Sequence, residues 1–516
     1  MFDLILANAN AVTMDPAQPA ASLVAIQGGR IAAVSGVRNL KSLRDSGTQI
    51  LDCAGKTVLP GFVDAHCHLR AYAESLVSLN LSPREGIRSI SDIQDRIRDF
   101  CSNRPPGTWV RGKGYNEFYL AEERHPTRRD LDAAAPLHPV KLTHRSGHAH
   151  VLNTCALEQV GITAETGDPP EGVIDREAGS GEPTGIFYGM GDFLAGRIPV
   201  LDDAEIERGL VRANSALLAC GVTSVQDASP ANSICQWDRY ESWKTRGLFH
   251  PRLTMMLGPK DIGRIKAISS KIPSLDLRSG GVKIILGRVS GALHPQQKDL
   301  NDRVLAIHRA GLQAVIHAIE EPEIEAACDA VAYALNRHPR PDHRHRIEHC
   351  SVCPPRLVRR IADLGITVVT QPSFIYFSGD RYLRTVSEDQ RPYLYAIGSM
   401  MGQGLRVGFS SDFPISDANP MTGIQAAVTR MTEGDNSFFP REGISVTDAL
   451  RAYTHEAAAA GFEEKIKGSI SAGKLADMIL LDEDPRAVDP RRIKDIRIVL
   501  TMIGGRIVWR DPAGLN

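Results

Sequence analysis

The sequence predicts an α/β fold. A (β/α)8 TIM barrel spans residues 58–467, and a composite β-sandwich is formed by the N- and C-terminal segments, 1–57 and 468–516. A long insertion at about 70–215 follows barrel strand one. Three observations predict this arrangement. Both ends of the 516-residue chain carry short apolar runs punctuated by Gly and Asn, the pattern of small β units. The middle alternates apolar, β-branched runs with stretches of helical periodicity, and eight such strands can be counted, the number a closed barrel requires. The stretch between the first and second of them is far longer than one crossover helix.

Taken in order, the N-terminal runs are Leu4–Leu6, Ala11–Met14, Ser22–Ile26 and, after the turn Gln27-Gly28-Gly29, Arg30–Val34. At the other end, Ala476–Asp482, Ile496–Ile503 and Arg506–Trp509 read as strands, with Gly504-Gly505 as a hairpin turn. Neither end has enough strands to cover its own edges, so the two are expected to combine. Thr57 to Val63 reads as a buried strand running into His66-Cys67-His68. The next barrel strands are Gly221–Asp227, Arg252–Leu257, Val282–Leu286 and Leu312–His317, followed by His345–His349, Ile366–Gln371 and Arg406–Asp412. Asp299–Arg309, Glu323–Asn336 and Pro355–Leu364 show apolar residues at helical spacing. The insertion is read as a helix near Ser91–Cys101 and a polar, Gly-rich middle, placed over the C-terminal face of the barrel where such insertions shape a pocket.

Composition excludes several classes. A formal net charge of -1 argues against nucleic acid as a partner. The N-terminus lacks the basic and long apolar regions of a signal peptide, and no apolar run approaches the ~20 residues that span a bilayer. Nine scattered cysteines suit reduced thiols better than a disulfide framework. Cys350-x-x-Cys353 has no second such pair to complete a zinc ribbon. The expectation is a cytoplasmic protein, without nucleic-acid or membrane partners, that acts on a small-molecule substrate and is free to form a homo-oligomer.

The chemistry is concentrated at strand ends. Residues i and i+2 of a strand share a face, so His66 and His68 project together, and Cys67 points away into packing. Strand four carries Lys283, strand five ends in His317, strand six in His349 and strand eight in Asp412. A closed barrel brings these ends to one mouth. Each has an ordinary reading alone, as a capped-strand histidine, a snorkelling lysine or a turn aspartate. Together they are a ligand set, because imidazole and carboxylate suit zinc and similar divalent ions. A lysine ammonium has no lone pair to give a metal. Burial lowers its pKa, and the neutral amine can react with CO2 to form an anionic carbamate able to bridge two ions. Asp412 is placed to take a proton from an attacking water and deliver it to a leaving nitrogen.

The chain resembles the amidohydrolase superfamily, specifically the amidohydrolase family 3 group that includes N-substituted formamide deformylases. The resemblance rests on Pro60-Gly61-Phe62-Val63-Asp64-Ala65-His66-Cys67-His68, on His125-Pro126-Thr127 with Leu131-Asp132, and on Gly147-His148 with Val151-Leu152-Asn153. It continues through Gly181-Glu182-Pro183-Thr184-Gly185, Arg346-Ile347-Glu348-His349 and Ser411-Asp412-Phe413-Pro414 to Tyr453-Thr454 and Gly473-Lys474-Leu475-Ala476-Asp477. The ordered set covers nearly the whole chain. It implies a metal-dependent hydrolase of a non-peptide C–N bond in an amide, formamide or cyclic amide, with one or two divalent metal ions, zinc first among them. By the same resemblance His66, His68 and Asp412 hold the more buried ion, His317 and His349 the second, and Lys283, if N6-carboxylated, bridges both.

The chain departs from the group in three places. Lys283 is followed by Ile284-Ile285-Leu286-Gly287-Arg288 without the usual Asp-Gly pair. Ile319-Glu320-Glu321 follows His317 where the group has Gly-Asp, and Gln226-Asp227 stands where relatives show His-Asp. Asp412 and His148 are the candidate catalytic residues, and Tyr115, His148, Arg288 and His294 the candidate substrate contacts. Arg288 would suit a substrate carboxylate. The alternatives are ester, lactone or carbamate hydrolysis at the same site, or a non-catalytic regulatory protein on the same fold.

Overall fold

The computed structural model describes residues 2–36, 47–169, 172–263, 265, 275–289 and 292–513. They form two compact units, one made of residues 1–69 and 214–516, the other of residues 70–213.

Strands from both ends of the chain join in one eight-stranded sheet within the first unit. Its order runs Arg506–Arg510, Ile498–Ile503, Met478–Leu481, Thr57–Pro60, Leu4–Val12, Ala20–Gln27 and Arg30–Ser35, with Gln49–Asp52 also paired to Leu4–Val12. The join is the antiparallel ladder from Met478↔Pro60 to Leu481↔Thr57. Leu4, Leu6, Val24, Ile26, Met478, Leu480, Leu500 and Met502 fill one apolar cluster against it. Leu4–Leu6 and Ala11–Met14, two runs in the sequence reading, are one strand with a register shift between Ala7 and Ala11, where Asn8 takes φ +52°.

The eight barrel strands are Phe62–Cys67, Val222–Asp227, Arg252–Leu257, Leu277–Ile285, Ala314–Ala318, Arg346–His349, Thr367–Thr370 and Val407–Phe409. Each is parallel to the next in that order. The seam between the eighth and the first is bridged at the C-terminal end, where Asp412 N donates to His66 O at 3.0 Å and His68 N to Phe413 O at 2.9 Å. The three helices read from periodicity are Gln297–Arg309, Glu321–Arg337 and Pro355–Asp363.

One strand differs from the sequence reading. Thr57 to Val63 is not continuous: Thr57–Pro60 belongs to the terminal sheet and Phe62–Cys67 to the barrel. Between them Gly61 N donates to Asp477 O, and Phe62 N already donates to Gly221 O in the barrel. A Cβ at Gly61 would lie 2.2 Å from Thr223 Oγ1, so only glycine allows the change of partners there.

The second unit carries more structure than its glycines suggested. Six strands order as Val173–Arg176, Pro183–Tyr188, Ala149–Leu152, Val140–His144, Val110–Tyr115 and Leu79–Asn80, beside the helix Ile90–Cys101. Gly112 lies within the strand Val110–Tyr115. A Cβ there would come within 2.5 Å of Leu81 and 2.7 Å of Leu142, so its glycine serves close packing. All nine cysteines are free thiols. Among the described residues no helix is long and apolar enough to cross a membrane.

Candidate metal centre

The barrel brings six sequence-predicted residues to its C-terminal mouth region. His66 lies on the first strand and His68 just beyond it, Lys283 is on the fourth, His317 on the fifth, His349 ends the sixth, and Asp412 follows the eighth. His66, Lys283, His349 and Asp412 are buried, while His68 and His317 are half-buried. Ring centroids are 5.3 Å apart for His66 and His68, 4.9 Å for His66 and His349, and 4.5 Å for His317 and His349. Two of these residues have left-handed backbones, His349 at φ +69° and Asp412 at φ +60°. Non-glycine residues seldom adopt that conformation, and it concentrates at functional sites. His349 is the last residue of its strand, and Asp412 lies three residues beyond the end of the eighth.

Three imidazoles have their tautomers set by their neighbours. His66 Nδ1 meets Glu348 Oε2. His68 Nδ1 lies 3.1 Å from Ser229 Oγ, whose own proton goes to Asp227 Oδ1 at 2.6 Å. His349 Nδ1 lies 2.8 Å from Gln371 Oε1, and Gln371 Nε2 donates to Ser410 Oγ at 2.9 Å, which fixes the amide. Each partner is an acceptor, so each Nδ1 carries the proton and each Nε2 presents a lone pair. The Nε2 atoms of His68 and His66 then face Asp412 Oδ1 at 3.2 and 3.6 Å, and that buried oxygen has no hydrogen-bond partner.

Electron pairs pointing at one another without a proton between them are unfavourable unless a cation lies among them. Ligand bonds of ~2.0–2.2 Å around a tetrahedral ion put neighbouring ligand atoms about 3.4 Å apart, close to both observed separations. His66, His68 and Asp412 are also the cluster whose ligand atoms all fall within 4.8 Å of one another. The donor set fits a divalent metal.

Lys283 supplies a second fit. It is 1% exposed, and its Nζ has no hydrogen-bond partner. Burial pulls its pKa down to about 8, against the opposing pull of Glu348 and Asp412. Burial also pushes His66 well below its ordinary value, helped by Lys283 and His349, and lowers His349 to about 4. His66 and His349 are therefore neutral, the form that binds metal. Asp64, two residues before His66 on the same strand, is raised to about 7 by burial. It accepts from Ser411 Oγ at 2.5 Å and ties strand one to the segment carrying Asp412.

The candidate substrate contacts fall in different places. Arg288 and His294 are exposed on a hairpin after strand four, Gly287–Val289 paired with Ala292–His294. Arg288 Nη1 is 3.8 Å from Glu320 Oε2, so two of the chain's departures from the group pattern face each other. His148 is exposed in the second unit, its backbone N donating to Ser146 Oγ at 3.2 Å. Tyr115 is fully buried in that unit's core, with its hydroxyl 3.0 Å from His125 Nδ1, and it would meet a substrate only if that core opened. Cys67 Sγ turns away from the mouth to Gln226 O at 3.5 Å.

Sequence reading assigned no role to the groups that orient the ligands: Ser229, Asp227, Arg346, Glu348 and Gln371. A signal was present for two of them. Arg346 and Glu348 alternate on a barrel strand, so both charges must point to the same face and pair there.

Comparison with known proteins places these features. A family model described as the amidohydrolase family matches residues 49–509. The N-substituted formamide deformylase of Arthrobacter pascens is 30% identical over an alignment of 537 positions, covering 98% of each chain. The putative amidohydrolase YtcJ of Bacillus subtilis (strain 168) is 27% identical, covering 90% of each. Among solved structures, an uncharacterized metal-dependent hydrolase from Pyrococcus horikoshii shares the fold with a TM-score of 0.75 at 24% identity, covering 94% of this chain and 99% of that one.

Proposed function

The chain belongs to the amidohydrolase family and is a metal-dependent hydrolase of carbon–nitrogen bonds other than peptide bonds, and we propose that its substrates are small amides, formamides or cyclic amides. The observation that carries the reading is Asp412 Oδ1, buried without a hydrogen bond and facing the lone-pair sides of His66 and His68. On this reading His66, His68 and Asp412 hold one ion. His317 and His349 hold a second, and Lys283 contributes as a carbamate formed from its neutral amine and CO2 with loss of one proton. Zinc is the ion we assign to that set of imidazole and carboxylate donors. Bound there, a divalent metal supplies Lewis acidity and lowers the pKa of water toward neutrality.

The protein's own groups do the rest. Asp412 accepts the proton released as water attacks the carbonyl carbon, and its buried carboxylate keeps that proton from bulk water. It then returns the proton to the leaving nitrogen, so that the departing group is a neutral amine. Glu348, Ser229 and Gln371 keep the three imidazoles in the tautomer that presents Nε2. Arg288 and His294, on the hairpin beyond Lys283, are assigned to the part of the substrate outside the scissile bond. Similarity to the formamide deformylase favours N-substituted formamides within this class.

The test is a substrate panel of N-substituted formamides, anilides, cyclic amides and lactones, run beside elemental analysis of the purified protein. Turnover of a C–N substrate that disappears with chelator and returns with Zn2+ is the expected result. Turnover of the lactones alone would move the assignment to esters, and negligible metal with no turnover would favour a non-catalytic protein.

A further inference from the structure

The barrel interior holds a chain of polar side chains that ends on a metal ligand. Gln226, Arg346, Glu348 and His66 are each 1% exposed or less. Gln226 Nε2 donates to Ala457 O at 2.9 Å, which turns Gln226 Oε1 toward Arg346 Nη1 at 2.6 Å. Arg346 Nη2 donates to Ala65 O at 3.0 Å, and Arg346 Nε lies 2.6 Å from Glu348 Oε1. The other carboxylate oxygen, Glu348 Oε2, is the one that meets His66 Nδ1.

A buried ion pair is no better for stability than well-packed apolar side chains of the same volume. Packing alone therefore does not account for a guanidinium and a carboxylate in the centre of a barrel. Their placement does: the cation is held by three strands, and the anion is held between that cation and one histidine. The geometry points to Glu348 as a positioning residue for the metal centre. Its carboxylate keeps the proton on His66 Nδ1, turns Nε2 toward Asp412, and makes that nitrogen a stronger electron-pair donor, while Arg346, itself fixed by Gln226 and Ala65, holds the carboxylate in place. Histidine ligands backed by a carboxylate lose roughly 10–100-fold in metal affinity when the carboxylate is removed. This inference rests on the metal reading above.

The test is chelator competition for Zn2+ on metal-stripped protein, with unfolding of the metal-free forms followed in parallel. Glu348→Gln should weaken Zn2+ binding about 10–100-fold. Glu348→Asp, which keeps the charge, should fall between wild type and Glu348→Gln. The double variant Arg346→Met/Glu348→Gln carries neither buried charge. It should regain unfolding resistance that the single variant loses, yet bind Zn2+ as weakly, and it carries the test if Glu348→Gln does not fold. Wild-type affinity in Glu348→Gln, or affinity restored together with stability in the double variant, would overturn the proposal and leave a purely structural pair. If the wild-type protein itself binds no Zn2+, the metal reading fails first and the relay falls with it.

Discussion

Replacing Asp412 by asparagine changes one atom's chemistry and leaves the shape of the site intact, so its consequences can be worked out separately with and without metal. In the metal-free protein, Asp412 Oδ1 faces two Nε2 lone pairs at 3.2 and 3.6 Å and accepts no hydrogen bond. An asparagine Nδ2 at that position is a donor, and the 3.2 Å approach to His68 Nε2 becomes a hydrogen bond. A net gain of about 0.5–1.5 kcal/mol is expected from such a bond. In a unit of this size that raises the unfolding midpoint by roughly 1 °C per kcal/mol. The backbone bond from residue 412 to His66 O is untouched, so the fold is kept.

Turnover should move the other way. Losing the group that accepts and returns the proton costs about 10²–10⁴-fold, or roughly 2.7–5.5 kcal/mol at 1.36 kcal/mol per tenfold. The assays are differential scanning calorimetry on chelator-stripped protein and kcat on an N-substituted formamide with Zn2+ restored. The signature is a more stable but inactive Asp412→Asn. A metal-free variant that melts below wild type would show that Asp412 already has a proton or partner, and kcat within tenfold of wild type would remove it from proton transfer.

His66→Ala and His317→Ala should each lower the metal content of purified protein along with kcat. Loss of kcat at full metal content would reassign the mutated residue from ligand to substrate contact. Gly61→Ala drives a Cβ to within 2.2 Å of Thr223 Oγ1 and 2.7 Å of Thr223 Cβ. Overpacking of this kind costs about 1–3 kcal/mol, read as a lowered urea midpoint; an unchanged midpoint would mean the two sheets can separate at Gly61 without cost. At the other end of the barrel, His345 Nδ1 accepts from Ala314 N at 2.9 Å and its Nε2 donates to His308 Nδ1 at 2.8 Å, so both nitrogens are committed in the neutral form. Burial first, then His343 and Arg340, hold the folded pKa at about 2. The unfolded chain takes up its proton near pH ~6.5. Stability is therefore fully present above that pH and drains as pH falls toward 2, by up to about 1.4 kcal/mol per unit. Denaturation free energies measured from pH 7.5 to 5 should fall less steeply for His345→Gln, and parallel curves would place the acid sensitivity elsewhere.

Much of the site can be read along the chain because its residues mark strand ends. His66-x-His68 announces two side chains on one face, Lys283 lies inside the apolar run Val282–Leu286, and His317, His349 and Asp412 each end a predicted strand. A parallel barrel leaves those ends nowhere to converge except one mouth. Where the reading failed, a partner rather than a period decided the outcome. Thr57–Val63 is uniformly apolar, yet a switch of hydrogen-bond partners at Gly61 makes it two strands. The insertion reads as one helix and a Gly-rich middle yet carries six strands, and Gly112 fits inside one of them because Leu81 and Leu142 occupy the space a side chain would need.

By itself, then, the sequence determined the count of barrel strands and the order of the candidate ligands along them, since alternation and apolar periodicity are properties of consecutive residues. Only the tertiary structure decided what those ligands are bonded to. Glu348 reaches His66 across 282 residues of chain, and Gln371 meets His349 from the neighbouring strand. Such contacts depend on register between strands, which no local pattern encodes. They set which nitrogen of His66, His68 and His349 presents its lone pair, and so give the histidines at these strand ends an arrangement that fits a metal.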